Sequence, residues 1–280
     1  MNEPLIRLWQ PEDKPQLKAL WKTGFGDPDE VIDQFWEMFL RPESCIVAEA
    51  DGRVVSAMYI LAGETFFPYR RNILTANYTY ALATLPEYRS RGIGRAVYKA
   101  ASDKALETAD AACVLPAEKA LYPFYENATG AKPFSAIREA RFQKADLAGV
   151  TPCMAARVPA LTYGAMREEL LGRMPYVTYP LEFFEFLEAS GMDFFLLENG
   201  LAAAETSDGV CVVRELLDPG EDVMRSVAGV ARWCPASEYI VRSPVFYEGP
   251  GEVQPYMLGV LKQTPAYPMP DDMWWGFGLE

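Results

Sequence analysis

The 280-residue sequence contains no histidine. The absence of histidine therefore excludes Ser/His/Asp and Cys/His catalysis in their usual form, and it excludes zinc sites that use histidine. The five cysteines are odd in number and scattered, without a CxxC spacing. We interpret them as reduced, buried residues and expect neither a disulfide framework nor a bound metal.

Long apolar runs are also missing. No stretch approaches the roughly 18 apolar residues that cross a bilayer. The opening residues, "MNEPLIRLWQPEDKP", show no basic segment followed by an apolar one, so they do not resemble a signal peptide. We therefore expect a cytoplasmic protein without a membrane partner.

Positive charge is scarce, since 26 lysines and arginines face 39 acidic residues and the formal net charge is -13. This balance argues against general nucleic-acid binding, which needs a basic face to replace counterions. It is compatible with a cationic substrate, although solubility alone also explains it. Half of the residues are hydrophobic, which is enough for packed cores, and the length favours two domains.

The spacing of apolar residues and turn signals predicts the order β-α-α-β-β-β-α-β-α for the first half. This order indicates an α/β fold with a mixed sheet and helices on its faces. The second half predicts a helix at "LEFFEFLEAS", three strands from 193 to 217, a helix at "EDVMRSVAGVARWC" and two later strands. A boundary within "ADLAGVTPCMAARVP" divides the chain into domains 1–147 and 148–280.

One basic stretch stands out in this acidic chain: "PEYRSRGIGRAVY", from Pro86 to Tyr98. It lies between a predicted strand and a predicted helix. A glycine-containing turn at a helix start directs backbone amides and the helix dipole to one point, and so forms an anion site. Gly92 and Gly94 would let a phosphate approach closely. A pyrophosphate is the natural ligand of such a turn.

The pattern is neither GxxxxGK[ST] nor GxGxxG, which excludes a P-loop and a Rossmann fingerprint. It reads R-x-x-G-x-G, and with "PEY" before it and "FYE" about thirty residues later it resembles the GCN5-related N-acetyltransferase (GNAT) superfamily. The resemblance covers roughly residues 4–145. It implies a GNAT acyl-CoA acyltransferase fold with acetyl-CoA as the donor substrate.

The resemblance also implies where the donor binds. Amides from Arg91 to Arg95 would hold the pyrophosphate, and the strand at 82–84 would pair with the pantetheine amides. The implied donor-binding residues are Leu82, Ala83, Thr84, Arg89, Ser90, Arg91, Gly92, Ile93, Gly94 and Arg95.

Tyr125, in "FYE", is implied as the general acid beside the sulfur of CoA; the alternative is a core aromatic residue with a hydrogen-bonded hydroxyl. Tyr122 has the wrong spacing for that role. Glu118 stands where relatives often have an asparagine that contacts the cofactor, which puts that contact in doubt.

The general base is left open. Many relatives carry a glutamate on the fourth strand, but "TANYTYALAT" contains no acid. The alternatives are a water held by Asn77, Tyr78, Tyr80 or backbone carbonyls, and the more remote Glu64.

The form T-x-P-x-YR-x-RGI and the length of the second half are similar to the enhanced intracellular survival group. Its members carry two tandem acetyltransferase-like domains and use a chain-terminal carboxylate in the first domain's site. The resemblance implies a second, degenerate GNAT-like domain, since no R-x-x-G-x-G occurs there. It leaves open whether the Glu280 carboxylate reaches a site, and docking of "DDMWWGFGLE" as a final strand is the simpler account.

On the acceptor side, Phe35, Trp36, Phe39 and Tyr69 fall where this fold binds acceptors, although the helical stripe formed by the first three is better interpreted as core. The second domain would cap the acceptor cleft or form the interface of a homodimer. We expect an N-acetyltransferase that transfers an acetyl group from acetyl-CoA to a primary amine of a small molecule by direct attack on the thioester. The alternative is a non-catalytic acyl-CoA-binding regulatory or interaction module.

Overall fold

Two mixed sheets of seven strands each organise the residues that the computed structural model describes, which are 3–66, 74–219, 222–263 and 272–279. Of residues 62–66 the backbone alone is described. The strands in chain order are β1 (Leu5–Leu8), β2 (Cys45–Ala50), β3 (Arg53–Phe66), β4 (Thr75–Thr84), β5 (Ala111–Val114), β6 (Lys132–Pro133), β7 (Ala136–Gln143), β8 (Ala155–Arg157), β9 (Asp193–Leu197), β10 (Leu201–Ser207), β11 (Val210–Leu217), β12 (Glu238–Ser243), β13 (Glu252–Pro255) and β14 (Leu258–Leu261). The helices are α1 (Lys14–Phe25), α2 (Asp29–Phe39), α3 (Ile93–Thr108), α4 (Tyr122–Thr129), α5 (Ala160–Leu171), α6 (Leu181–Ala189) and α7 (Val223–Ala231).

The first sheet has the order β1-β2-β3-β4-β5-β14-β6, and the second has the order β13-β7-β12-β11-β10-β9-β8. The predicted order β-α-α-β-β-β-α-β-α is confirmed from β1 to α4. The α/β fold class is confirmed as well. The tight turns predicted around Asp51-Gly52 and Asp208-Gly209 join β2 to β3 and β10 to β11 as antiparallel hairpins.

Both faces of the first sheet are covered because successive residues of a strand point to opposite sides. Ile46 and Ala48 of β2 pack with α3 and α4. Cys45 and Val47 of the same strand pack with α1 and α2 on the other face. The sheet is therefore the middle layer of the N-terminal half.

The two halves of the chain exchange strands. β7, which precedes the predicted boundary, lies in the second sheet between β12 and β13. β14, which follows that boundary, lies in the first sheet between β5 and β6. The division at 147/148 stays a prediction, and the sheets are in any case tied together by one strand in each direction.

One hydrophobic cluster spans both halves. It joins Trp21 and Phe35 of the first half to Tyr163 and Phe184 of the second, together with the two tryptophans of the segment 272–279. The halves are thus packed through a shared apolar core. Among the described residues, no helix is both long and apolar enough to span a membrane.

Candidate active site

The basic turn lies where the sequence predicts it, between β4 and α3. A short 3-10 turn at Pro86–Tyr88 follows β4, and α3 begins at Ile93 with Gly92 as its N-cap. No side chain caps this helix start. Its first amides are consequently available to an anion, and the exposed arginines around them supply positive charge.

The two glycines of the turn have different structural reasons. Gly92 has a φ of 79°, a left-handed conformation that glycine adopts at no steric cost. A Cβ at Gly94 would lie 3.2 Å from Thr84 Oγ1, so this glycine lets α3 start close against β4. The sequence predicts that both glycines allow a phosphate to approach the backbone closely. The structure gives each of them a role in shaping the turn itself.

The three arginines of the turn are held differently. Arg89 Nε donates to the carbonyl oxygen of Thr84 over 2.9 Å, which ties the turn back to the end of β4. The Arg91 guanidinium lies over the Tyr88 ring, 5.2 Å from its centroid. Arg95 projects from the first turn of α3 as an exposed side chain. Arg89, Arg91 and Arg95 are exposed and make this surface basic, whereas the side chain of Ile93, also predicted as donor-binding, is buried.

The strands β4 and β5 separate directly below this turn. They pair in parallel at Ala76–Ala111, Asn77–Ala112 and Tyr78–Cys113, and the ladder then stops. Thr79 Oγ1 donates to the carbonyl oxygen of Cys113 over 3.0 Å, which closes the end of the ladder. Beyond that point the β5-facing edge of β4 diverges from its neighbour. Such a strand edge can pair with an extended ligand.

A bulge in β4 accompanies this separation. Ala81 has a φ of 55°, and the register against β3 shifts between Ala57 and Tyr59. Of the predicted strand residues, Leu82 lies at the bulge, while Ala83 and Thr84 pair with Ala57 and Ser56 of β3. A β-bulge bends a strand and re-aims its edge, which explains why β4 leaves β5 here.

The gap between the strand ends is a cavity of about 470 Å³. Its described lining residues are Gly24, Phe25, Asp27, Met58, Thr79, Tyr80, Ala81, Leu82, Val114, Leu115, Ala117, Leu121, Tyr125 and Leu279. The cavity therefore brings together the α1–α2 loop, the diverging strands, helix α4 and the segment 272–279.

Tyr125 lies in the wall of this cavity and is 7% exposed. Its ring packs edge-on against Tyr98, with the centroids 4.8 Å apart. Among the described residues its hydroxyl has no hydrogen-bond partner. Burial, with a smaller effect of Tyr98, raises the pKa of Tyr125 to about 12. The hydroxyl is thus protonated at neutral pH and can donate into the cavity.

The neighbouring tyrosine on α4 is committed elsewhere. Tyr122 Oη donates to the carbonyl oxygens of Pro255 and Tyr256, over 3.2 and 2.9 Å. It is not among the residues that line the cavity. Glu118 is exposed at the start of the 3-10 turn that precedes α4, and it is not a lining residue either.

The residues considered for the base are dispersed. Asn77 Nδ2 donates to Ala105 O over 2.8 Å and so faces α3, away from the cavity. Tyr78 Oη donates to Leu279 O over 3.1 Å. Of the three strand residues, Tyr80 is the one that lines the cavity. The side chain of Glu64, and Tyr69 and Glu280 as a whole, lie outside the described residues.

An acid that the sequence does not single out, Asp27, lines the same cavity as Tyr125. Asp27 follows Gly26, which ends α1, and its Oδ2 accepts a hydrogen bond of 2.7 Å from Trp21 Nε1. Asp27 precedes α2, which begins at Asp29, and so belongs to the loop between α1 and α2. The sequence signal was an acid in a short loop between two helices. Whether this acid lines a cavity depends on where β4 bends.

The charge of Asp27 affects the pKa of the neighbouring Tyr80. Burial, and to a smaller extent the negative charge of Asp27, raise the pKa of Tyr80 to about 12, and the positive charge of Arg214 opposes this shift. Arg214 belongs to β11, so the second half of the chain contributes to the electrostatics of this site.

The predicted acceptor stripe on α2 is mostly core. Phe35 packs against Trp21, Tyr59 and Tyr80, and Trp36 Nε1 donates to Tyr59 Oη over 3.3 Å. Phe39 lines a second, smaller cavity of about 200 Å³ with Tyr78, Phe183, Trp275 and Phe277. Within the described ranges, no group of three His, Cys, Asp or Glu side chains is arranged to hold a metal ion.

Comparison with known proteins agrees with this architecture. Residues 5–128 match a family model described as an acetyltransferase (GNAT) domain. None of the curated proteins compared matches the sequence. The predicted resemblance to the GNAT superfamily is therefore confirmed, and it rests on the part of the chain that contains the turn, the diverging strands and Tyr125.

Solved structures extend the similarity of fold to the second half. A GCN5-related N-acetyltransferase from Kribbella flavida is 18% identical, with a TM-score of 0.67 over 92% of this chain and 72% of that one. Eis1 from Mycobacterium abscessus is 14% identical, with a TM-score of 0.60 over 92% and 73%. A tandem GNAT protein from the clavulanic acid biosynthesis pathway is 15% identical, with a TM-score of 0.54 over 94% and 100%. At these identities the similarity shows the fold, which includes a second GNAT-like unit.

Proposed function

Because residues 5–128 carry a GNAT acetyltransferase domain, we propose that this protein is an N-acetyltransferase that moves an acetyl group from acetyl-CoA to a primary amine of a small molecule. The observation that carries the proposal is the cavity between β4 and β5, which holds a phenol donor and a carboxylate in one enclosed space. A direct transfer between two bound substrates needs these two groups at opposite sides of the reacting carbon.

The donor would bind along the turn and the strand edge. The amides from Arg91 to Arg95 and the dipole of α3 suit the pyrophosphate, because anions are stabilised at uncapped helix starts. The edge of β4 that leaves β5 after Tyr78 suits the extended pantetheine arm. This pose directs the thioester into the cavity.

In the reaction, the amine nitrogen attacks the thioester carbonyl, a C–N bond forms and the C–S bond breaks. Tyr125 donates a hydrogen bond to the departing sulfur. The pKa of Tyr125, about 12, lies above the pKa of a thiol, which is near 8.5. The phenol therefore stabilises the thiolate through a hydrogen bond and keeps its own proton. The proton released by the amine ends on sulfur, and the products are the amide and CoA.

The acceptor would enter from the side of Asp27. The amine arrives as a cation, which the Asp27 carboxylate attracts to the cavity through a charge-assisted hydrogen bond. The cation then loses one proton to solvent, and the neutral amine attacks the thioester. The Trp21 indole, which donates to Oδ2, fixes the orientation of that carboxylate. Holding both substrates in one cavity supplies a large part of the rate.

Tyr125→Phe tests the proposal. We expect kcat to fall by about 10²–10³-fold, the usual cost of losing one hydrogen-bond donor to a developing negative charge, while CoA binding measured by calorimetry is unchanged. Thiol release is followed with acetyl-CoA and a panel of primary amines that includes phenethylamine and putrescine. Tyr122→Phe is the matched control, because it removes a hydroxyl from the same helix that does not line the cavity.

Full activity of Tyr125→Phe would remove its assigned role. If the wild-type protein binds CoA but releases none with any amine of the panel, the transferase is refuted. The acyl-CoA-binding module then becomes the better account.

A further inference from the structure

The segment 272–279 forms a wall of both cavities on the acceptor side. Leu279 lines the cavity of Tyr125, while Trp275 and Phe277 line the smaller one. Gly278 lies against Leu115, where a Cβ would come within 2.4 Å of Leu115 Cδ2. A small displacement of this segment would therefore change the space that an acceptor can occupy.

The segment is attached at two ends. Towards the second sheet, Trp274 N donates to Pro175 O, and Val177 N donates to Trp274 O, both over 2.9 Å. Towards the first sheet, Gly278 N donates to Tyr256 Oη and Tyr78 Oη donates to Leu279 O, both over 3.1 Å. It thus bridges the two halves of the chain.

The end of the segment that is attached to the second half of the chain contacts a fully buried ion pair. Arg167 of α5 and Glu215 of β11 are both 0% exposed. Arg167 Nε donates to both oxygens of Glu215, over 2.9 and 3.0 Å. Tyr163 Oη donates to Oε2 over 2.6 Å, and Trp274 Nε1 donates to Oε1 over 2.5 Å. One carboxylate therefore receives donors from α5 and from the segment.

The fit of the segment on this pair is close. Gly276 has a φ of 79°, and a Cβ there would lie 2.7 Å from Glu215 Oε1 and 2.8 Å from Arg167 Nη2. The Arg167 guanidinium also lies over the Phe277 ring, 5.8 Å from its centroid. Since buried, hydrogen-bonded charges hold a single geometry better than apolar contacts do, the pair can fix the position of the segment.

We propose that Glu215, Arg167 and Trp274 are positioning residues for acceptor binding, acting through the segment 272–279. They touch neither cavity themselves. Their effect is to hold Trp275, Phe277 and Leu279 in the cavity walls. The kinetic part of this proposal rests on the proposed transferase function, whereas the structural part does not.

Trp274→Phe tests the proposal, with Tyr163→Phe as its matched control. Each variant removes one donor to the same carboxylate and leaves an aromatic ring in place, with the phenyl ring at 274 smaller than the indole it replaces; of the two residues, Trp274 belongs to the segment and Tyr163 does not. In Trp274→Phe we expect amide hydrogen exchange of residues 275–279 to accelerate at least about 10-fold, as loss of a hydrogen bond to a charged group predicts. In Tyr163→Phe we expect these rates to stay within about twofold of wild type.

The kinetic arm uses phenethylamine and putrescine as acceptors. Trp274→Phe should lower kcat/KM for the amine by about 10-fold and leave the KM for acetyl-CoA within about twofold. Gly278→Ala is a second variant, which disturbs the far end of the segment and leaves the ion pair in place; it should show the same split.

Unchanged exchange in Trp274→Phe, or equal acceleration in Tyr163→Phe, would overturn the proposal. An unchanged kcat/KM for the amine in both segment variants would overturn its kinetic part. If the wild-type protein acetylates neither amine, the transferase function fails, and the exchange experiment still decides whether the pair positions the segment.

Discussion

Glu215→Gln isolates the charge of the buried pair, because glutamine keeps the shape of the side chain. Arg167, at 0% exposure, would then keep one acidic partner, Glu168, whose Oε1 lies 3.5 Å from Arg167 Nη1. Its Nη2 already has no hydrogen-bond partner among the described residues. Removing one member of such a pair typically costs about 3–5 kcal/mol. For a chain of this length, that loss corresponds to a fall in Tm of about 5–9 °C.

The assay is thermal and guanidinium unfolding, with Asp103→Asn as the control. Asp103 pairs with Lys99 over 2.7 Å on the exposed face of α3, so its loss should shift Tm by less than about 1 °C. Adding Arg167→Met to Glu215→Gln removes the buried guanidinium charge of Arg167, so the double variant should recover much of the stability. A fall in Tm below about 2 °C in Glu215→Gln would refute the reasoning, because it would mean that Arg167 finds water or another partner.

Two further predictions concern the cavity. Asp27→Asn removes the charge that attracts the amine, and should lower kcat/KM for phenethylamine by about 10-fold or more without changing CoA affinity; an equal loss in CoA affinity would argue against an acceptor role. Because burial raises the pKa of Tyr125 to about 12, its protonated form persists to high pH, so kcat should show no decline with a midpoint near pH 10, the ordinary value for tyrosine. A decline of kcat with a midpoint near pH 10 that disappears in Tyr125→Phe would show that burial does not raise the pKa of this phenol.

Local signals predicted the first half well. Apolar spacing and the turns at Asp51-Gly52 and Asp208-Gly209 depend on neighbouring residues, so β1 to α4 and the β10–β11 hairpin followed from the sequence. The phosphate-type turn was recognised for the same reason. Helix α5 was not predicted, and with it Arg167 was missed.

Long-range pairing could not be predicted in this way. β14 pairs with β5, more than 140 positions earlier in the chain, and β7 crosses to the other sheet. Neither choice has a local signal, since an apolar strand fits any open sheet edge. The late strand was predicted from the sequence, but its partners β5 and β6 follow from the structure alone.

The sequence by itself determined the glycine-containing turn between β4 and α3, the tyrosine of "FYE" and the α/β order, because each depends on residues within a few positions of one another. The tertiary structure alone decided that Asp27 and Tyr125 line the same cavity, that Asn77 faces α3, and that Leu279 of the segment 272–279 contributes to the cavity wall. These relations depend on a bulge that bends β4 and on a buried ion pair that no local pattern announces. Distances between elements are set by packing, and packing is a property of the whole chain.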